Sequence, residues 1–284
     1  MTTLKNSLET IKALFGNISA LVIFAALYAL LLVTLYFYIA TREATVWQVM
    51  ITLAGLVVIP AEFFVLQAAI VNRTQHDAFD WRCILRDALK FFVVTVPILI
   101  VGYVLWILLN KWQVHYPPAL ITLAQSANKL RPTHWPSLWF ATARCLIFGV
   151  ALPLVTIQLW IECAGRDLKT LFTGFLKRLG SVFTRACSAD SVFTYALGLV
   201  LFVAIPYALL FIPITIKGNK TEFTFFSFRL VLVFVFTLVG WIVTVQALAR
   251  NAARAPEAPR TVAPSVSPTA PSEVLSPQSG PQAA

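Results

Sequence analysis

The residues of this sequence best equipped for chemistry are one glutamate and three glutamines, each inside a long apolar run. Glu62 lies in the second run, nine residues from the end at position 71. A carboxyl at mid-depth in a membrane costs about 2.5 to 3.5 kcal/mol on the insertion scale. The same run holds 14 Leu, Ile, Val or Phe, each worth about 0.3 to 0.6 kcal/mol in the favourable direction, so Glu62 does not prevent the run from spanning. Two chemistries suit it. It lines a polar pathway and carries a coupling proton, or it is a protonated carboxyl bonded to a neighbouring helix beside Pro60. Arg144, in the fourth run, differs from it in depth by roughly 15 Å at 1.5 Å per residue, which argues against an ion pair.

Gln67, Gln158 and Gln246 recur at separations of 91 and 88 residues, each near the same end of an even-numbered run. With Glu62 they form a candidate intramembrane polar site, provided three repeated units surround a common axis. The alternative is three separate interhelical hydrogen bonds, each worth about 1 kcal/mol or less.

Catalytic and metal chemistry find little support. The sequence contains no GxSxG, HExxH or GxxxxGK[ST], the patterns that place a nucleophile, a zinc pair or a phosphate cradle. Cys83, Cys145, Cys163 and Cys187 include no CxxC pair, and His76, His115 and His134 are scattered. These cysteines read as structural. We expect a protein that is not an enzyme and uses no cofactor or metal.

The elements that must position the polar residues follow from composition. Mean hydropathy is +0.80, with 59% hydrophobic and 12% charged residues, whereas soluble domains carry about 25% charged residues. Apolar runs occupy 18–40, 46–71, 88–109, 138–163, 192–214 and 226–249. Each reaches the roughly 20 residues needed to cross about 30 Å of hydrocarbon. The first is too long for a signal h-region of about 7 to 15 residues and lacks a small-x-small cleavage site. The net charge of +10 is distributed unevenly, so its position matters more than its sum. Fourteen Lys and Arg, Lys90 included, fall before the first run, at the junctions of runs two and three and of runs four and five, and in the tail; six lie in the other loops. This bias predicts cytoplasmic termini in a bacterial inner membrane or a plasma membrane. Trp112, Tyr116, Trp135 and Trp139 suit an aromatic belt at the outer interface.

Short basic stretches precede the odd runs. Residues 167–183 place Leu168, Leu171, Phe172, Phe175, Leu176 and Leu179 at helical spacing, with Lys169, Lys177 and Arg178 opposite. Residues 80–91 repeat this with Trp81, Ile84, Leu85 and Ala88 on one face, Arg82, Arg86, Asp87 and Lys90 elsewhere, and Asp80 as N-cap. A weaker copy uses Leu4, Leu8, Ile11 and Phe15. Such helices lie in the interface or pack as a collar beneath the bundle. In the first case Arg82, Arg86, Lys90, Lys169, Lys177 and Arg178 contact anionic lipid headgroups.

Six spans in three pairs resemble the mitochondrial carriers, but the residues depart from that family's P-x-[DE]-x-x-[KR] motif. Pro97 is followed by Ile98 and Leu99, and Pro206 by Tyr207 and Ala208. The amphipathic stretches also fall between the pairs, where carriers have them within. The pattern is more similar to bacterial six-span membrane proteins in which a basic amphipathic helix precedes successive spans, a likeness that implies no substrate. From Ala255 the chain is rich in Pro, Ala and Ser and is expected to be disordered.

The expected fold is therefore all-α: a polytopic helix bundle of six transmembrane helices in three hairpin units, with cytoplasmic amphipathic helices over 1–17 and before the later pairs, and a tail over 255–284. The expected role is that of a scaffold, accessory or lipid-interacting protein. Its partners are the lipid bilayer, with anionic lipids at the cytoplasmic face, and a membrane protein or a second copy of itself; nucleic acid is not among them. The alternative is a small transporter or channel with a polar path near Glu62.

Overall fold

The computed structural model describes residues 12, 16–41, 45–75, 79–116, 135–164, 166, 175–212 and 219–254. The expected N-terminal amphipathic helix and the tail lie outside them. Among the described residues there are seven helical elements and no strand: α1 (Ile18–Ala40), α2 (Val46–Gln75), α3 (Trp81–Val114), α4 (Trp135–Cys163), α5 (Phe175–Ala186), α6 (Ala189–Phe211) and α7 (Asn219–Arg254). All but α5 are long and apolar enough to cross a membrane. The protein is an all-helical, multi-pass integral membrane protein.

Polar side chains set several helix starts by accepting bonds from first-turn amides that have no intrahelical partner. Asn17 accepts from the Ala20 amide at 3.2 Å, Asp80 from Arg82 at 3.0 Å and Ser188 from Ser191 at 3.3 Å. The residues over 80–91 do not form a separate helix on the surface. They are the opening turns of α3, whose 34 residues extend about 51 Å at 1.5 Å per residue. The reason is packing: Ile84, Asp87, Ala88, Lys90 and Phe91 are buried against the bundle, so the segment continues the span.

The hydrophobic interior is concentrated toward one end of the bundle. We call this end, where α1, α3 and α6 begin and α2, α4 and α7 finish, the base. Phe24, Ile70, Phe91, Ile157, Ile242 and Leu248 meet there, essentially without exposure. Toward the distal end Leu30, Tyr36, Leu99, Tyr103, Phe226 and Leu230 face outward. Large apolar side chains along that length fit hydrocarbon, and the helical backbone satisfies its own polar groups there.

Prolines divide into two groups. Pro60 and Pro97 sit inside continuous α-helix. Pro153 and Pro206 follow π-helical segments at Cys145–Ala151 and Val200–Ala204, where the Leu152 amide bonds to the Ile147 carbonyl and the Ile205 amide to the Val200 carbonyl. A proline has no N–H and its ring crowds the carbonyl four residues back; widening the preceding turn accommodates both. For Pro153 that carbonyl belongs to Gly149, and it accepts a bond from the Tyr195 hydroxyl at 3.0 Å. Pro213 lies outside the described residues.

The third hairpin is closed by glycine. A Cβ on Gly240 would stand 2.9 Å from the Phe202 amide nitrogen and 3.0 Å from the Leu201 carbonyl carbon, and one on Gly198 would stand 2.8 Å from Thr244 Cβ. The absence of side chains at these two positions lets α6 and α7 approach closely, as small residues do in membrane bundles.

Candidate functional site

Among the described residues ten polar or charged ones are buried, and they gather in the basal part of the bundle: Gln67 and Asn72 on α2, Asp87, Lys90 and Thr95 on α3, Gln158 on α4, Ser191 and Thr194 on α6, and Thr244 and Gln246 on α7. Four of their described bonds cross between helices. Trp241 Nε1 donates to Gln67 Oε1 at 2.9 Å, Trp160 Nε1 to Thr95 Oγ1 at 2.9 Å, Gln158 Nε2 to Ser191 Oγ at 3.4 Å and Asn251 Nδ2 to Thr194 Oγ1 at 3.0 Å. Such bonds fasten membrane helices at about 0.6 kcal/mol each on average. Lys90 and Asp87 instead pair within α3 at 2.7 Å, with side chains 1% and 5% exposed.

A cavity of about 310 Å³ lies at the base, lined by the ends of α2, α4 and α7 together with Arg166 and Arg185. Glu162 is nearly buried and forms ion pairs with Arg185 at 3.1 Å and Arg166 at 3.4 Å. Arg250 and Gln158 also line the space. Three guanidinium groups and one carboxylate among the lining residues favour an anion. Nothing in the set supplies a nucleophile beside a base, so the arrangement is suited to holding charge.

The residues of the candidate intramembrane site bond to different partners. Glu62 Oε1 accepts from Thr34 Oγ1 on α1 at 3.1 Å, and its Oε2 is buried without a partner among the described residues. Gln67 and Gln158 bond to different neighbours, Gln246 is buried in α7, and no described hydrogen bond joins Glu62 to any of the three glutamines. Only Gln158 lines the basal cavity. Arg144 is bound far from Glu62: its Nη2 donates to Asn110 Oδ1 and Gln113 Oε1 on α3, and its guanidinium lies 5.0 Å from the centre of the Trp106 ring.

The cations expected to contact lipid headgroups also divide. Arg82 and Arg86 are exposed at the start of α3. Lys90 corrects the expectation: it is buried and paired with Asp87, so its ammonium does not reach headgroups. Four residues at 100° each leave it only about 40° round the helix from Arg86, and its pairing with Asp87 on the buried side lets that edge of α3 enter the bundle. Lys169 lies outside the described residues, as do the side chains of Lys177 and Arg178. Sequence reading missed the Asp87–Lys90 and Glu162–Arg166 pairs, although their i,i+3 and i,i+4 spacing is the ordinary signal for such contacts. The Glu162–Arg185 pair, made between separate helices, had no local signal.

Comparison with protein families, with curated proteins and with solved structures finds no match for this chain.

Proposed function

We propose that this protein is a non-catalytic, lipid-engaging membrane protein, a scaffold or accessory component whose basal face meets anionic headgroups on the cytoplasmic side of a bacterial inner membrane or a plasma membrane. The observation that carries this reading is the opening of α3. Trp81, Leu85 and Leu89 form an exposed row at four-residue spacing, and Arg82 and Arg86 are exposed alongside it. Apolar side chains in that number are poorly served by water, and guanidinium groups are poorly served by hydrocarbon. The boundary between the two accommodates both, with the arginines at the phosphates and the row against the acyl chains. The lysine and arginine excess in the basal segments supports the same orientation.

A lipid that binds the folded protein and not the unfolded chain raises its melting temperature. Phosphatidylglycerol added to the detergent-solubilised protein therefore raises Tm more than phosphatidylcholine does, and Arg82→Gln/Arg86→Gln narrows the difference. Equal effects of the two lipids on the wild type overturn the reading. Orientation is tested by cysteine placed at position 126 or 174 in a cysteine-free background: position 126 labels from outside, and labelling of 174 from outside contradicts a cytoplasmic base.

A second reading, transport along a path near Glu62, draws on the unpartnered Glu62 Oε2. Proton flux into proteoliposomes that is lost in Glu62→Gln supports it; flux equal to that of empty vesicles removes it.

A further inference from the structure

A groove of about 470 Å³ runs between α3 and α4, with Phe63 of α2 and Trp241 of α7 in its lining. Its walls are apolar because the polar atoms of two large side chains are occupied elsewhere. The indole N–H of Trp160 is bonded to Thr95 and that of Trp241 to Gln67. Leu99 and Tyr103 line the groove and are exposed on the outer surface, so it opens sideways. From Thr95 to Trp106 it follows α3 for about 16 Å at 1.5 Å per residue, close to half of the roughly 30 Å hydrocarbon thickness. That is the depth of one leaflet.

The distal end of this groove carries a cation. Arg144 lies one helical turn before the lining residue Phe148 and against the ring of the lining residue Trp106. Its Nε is buried without a hydrogen-bond partner among the described residues, although Asn110 and Gln113 orient the far edge of the group. The adjacent π-helical segment Cys145–Ala151 and Pro153 set this stretch of α4 off from regular helix, a distortion often found where a helix serves a ligand. Trp112 and Trp139, both exposed, mark the distal interface about one to two turns further out, within the reach of a snorkelling guanidinium.

We propose that this groove is a binding site for one phospholipid of the distal leaflet, with an acyl chain between α3 and α4 and an anionic headgroup at Arg144. The apolar length fits one chain, and the Arg144 guanidinium at its outer end attracts a headgroup of net negative charge and repels the quaternary ammonium of a zwitterionic one, so the two halves of the site select an anionic lipid. This site is distinct from the basal row at Arg82 and Arg86, at the other end of α3.

The test uses the full chain carrying Arg82→Gln/Arg86→Gln, so that lipid held at the base does not enter the count. The protein is reconstituted in equal phosphatidylglycerol and phosphatidylcholine, extracted, and its retained lipids are counted by native mass spectrometry. Retention of phosphatidylglycerol at least fivefold over phosphatidylcholine is expected. Arg144→Gln lowers it about fivefold, equivalent to about 1 kcal/mol, while Arg144→Lys keeps part of the preference. Thr156→Phe, which fills the groove without touching Arg144, lowers retention of both lipids. Equal retention of the two lipids overturns the proposal, as does undiminished phosphatidylglycerol in Thr156→Phe. A dimer carrying no lipid assigns the groove to a second copy and likewise overturns it. Should Arg144→Gln fail to fold, Thr156→Phe decides alone.

Discussion

The buried Lys90–Asp87 pair yields the sharpest prediction for stability. At 2.7 Å, two unit charges in a medium of effective dielectric about 20 attract by about 6 kcal/mol. Removing both ions from water costs several kcal/mol each, so the intact pair contributes little net stability, whereas an unpaired buried ion is costly by about 3 to 5 kcal/mol. Lys90→Met retains the length of the side chain and leaves Asp87 without its cation. For a chain of this size each kcal/mol shifts Tm by about 2 to 4 °C, so Lys90→Met lowers Tm by roughly 6 to 20 °C in detergent. Adding Asp87→Leu removes the stranded carboxylate and recovers most of the loss. The assay is thermal unfolding followed by circular dichroism for the wild type, both single variants and the double. A lysine that reached headgroups instead would give a Lys90→Met shift of no more than about 2 °C and additive effects in the double variant. Either result would refute the reasoning.

Three further predictions concern packing and capping. Gly240→Ala forces a methyl group against the backbone of Phe202 and Leu201 and destabilises by about 1 to 3 kcal/mol, read as a lower Tm, whereas alanine at the open helical position Gly180, with nothing near its Cβ, raises Tm by about 1 to 4 °C, because glycine inside a helix costs about 0.5 to 1 kcal/mol relative to alanine. Trp241→Phe strands Gln67 Oε1 and costs about 1 to 3 kcal/mol; Gln67→Leu in the same chain restores stability, and failure to restore it shows that the bond was not the source. Asp80 accepts from the Cys83 thiol and the Arg82 amide, which hold its carboxyl below the ordinary carboxylate range. A depressed folded pKa makes the cap's stabilisation present above the unfolded value and lost as pH falls through the folded one. Asp80→Asn therefore flattens the acid limb of stability against pH, and an unchanged limb contradicts the cap's role.

The positions of the spans were legible because an apolar run of membrane length is a property of the chain alone. The first run coincides with α1, and the second, at 46–71, is exceeded only by the last turn of α2. What a run does not encode is which neighbour its polar residues meet. Glu62 lies within α2, yet its partner Thr34 is 28 residues away on another helix. The start of α3 was misjudged for a related reason. Lys90 and Asp87 looked like members of a solvated face, and only their mutual pairing allows both into the interior. The π-helical segments before Pro153 and Pro206 lacked a separate signal, since Pro60 and Pro97 occur in regular helix. The basal cavity was equally hidden, because it arises where three helix ends meet. Gln158 and Glu162 were visible in the sequence, but their enclosure by Arg185 and the end of α7 was not.

A basal face that engages anionic lipid carries such lipid with it when the protein leaves its own membrane. The wild-type chain, extracted in mild detergent and analysed by quantitative lipid mass spectrometry, is predicted to carry anionic lipid enriched several-fold over the bulk membrane. Arg82→Gln/Arg86→Gln is predicted to lose the part of that enrichment held at the base, keeping what the Arg144 groove retains, with its helicity unchanged. A wild-type lipid complement equal to the bulk composition, or one unaffected by the double substitution, would contradict the account.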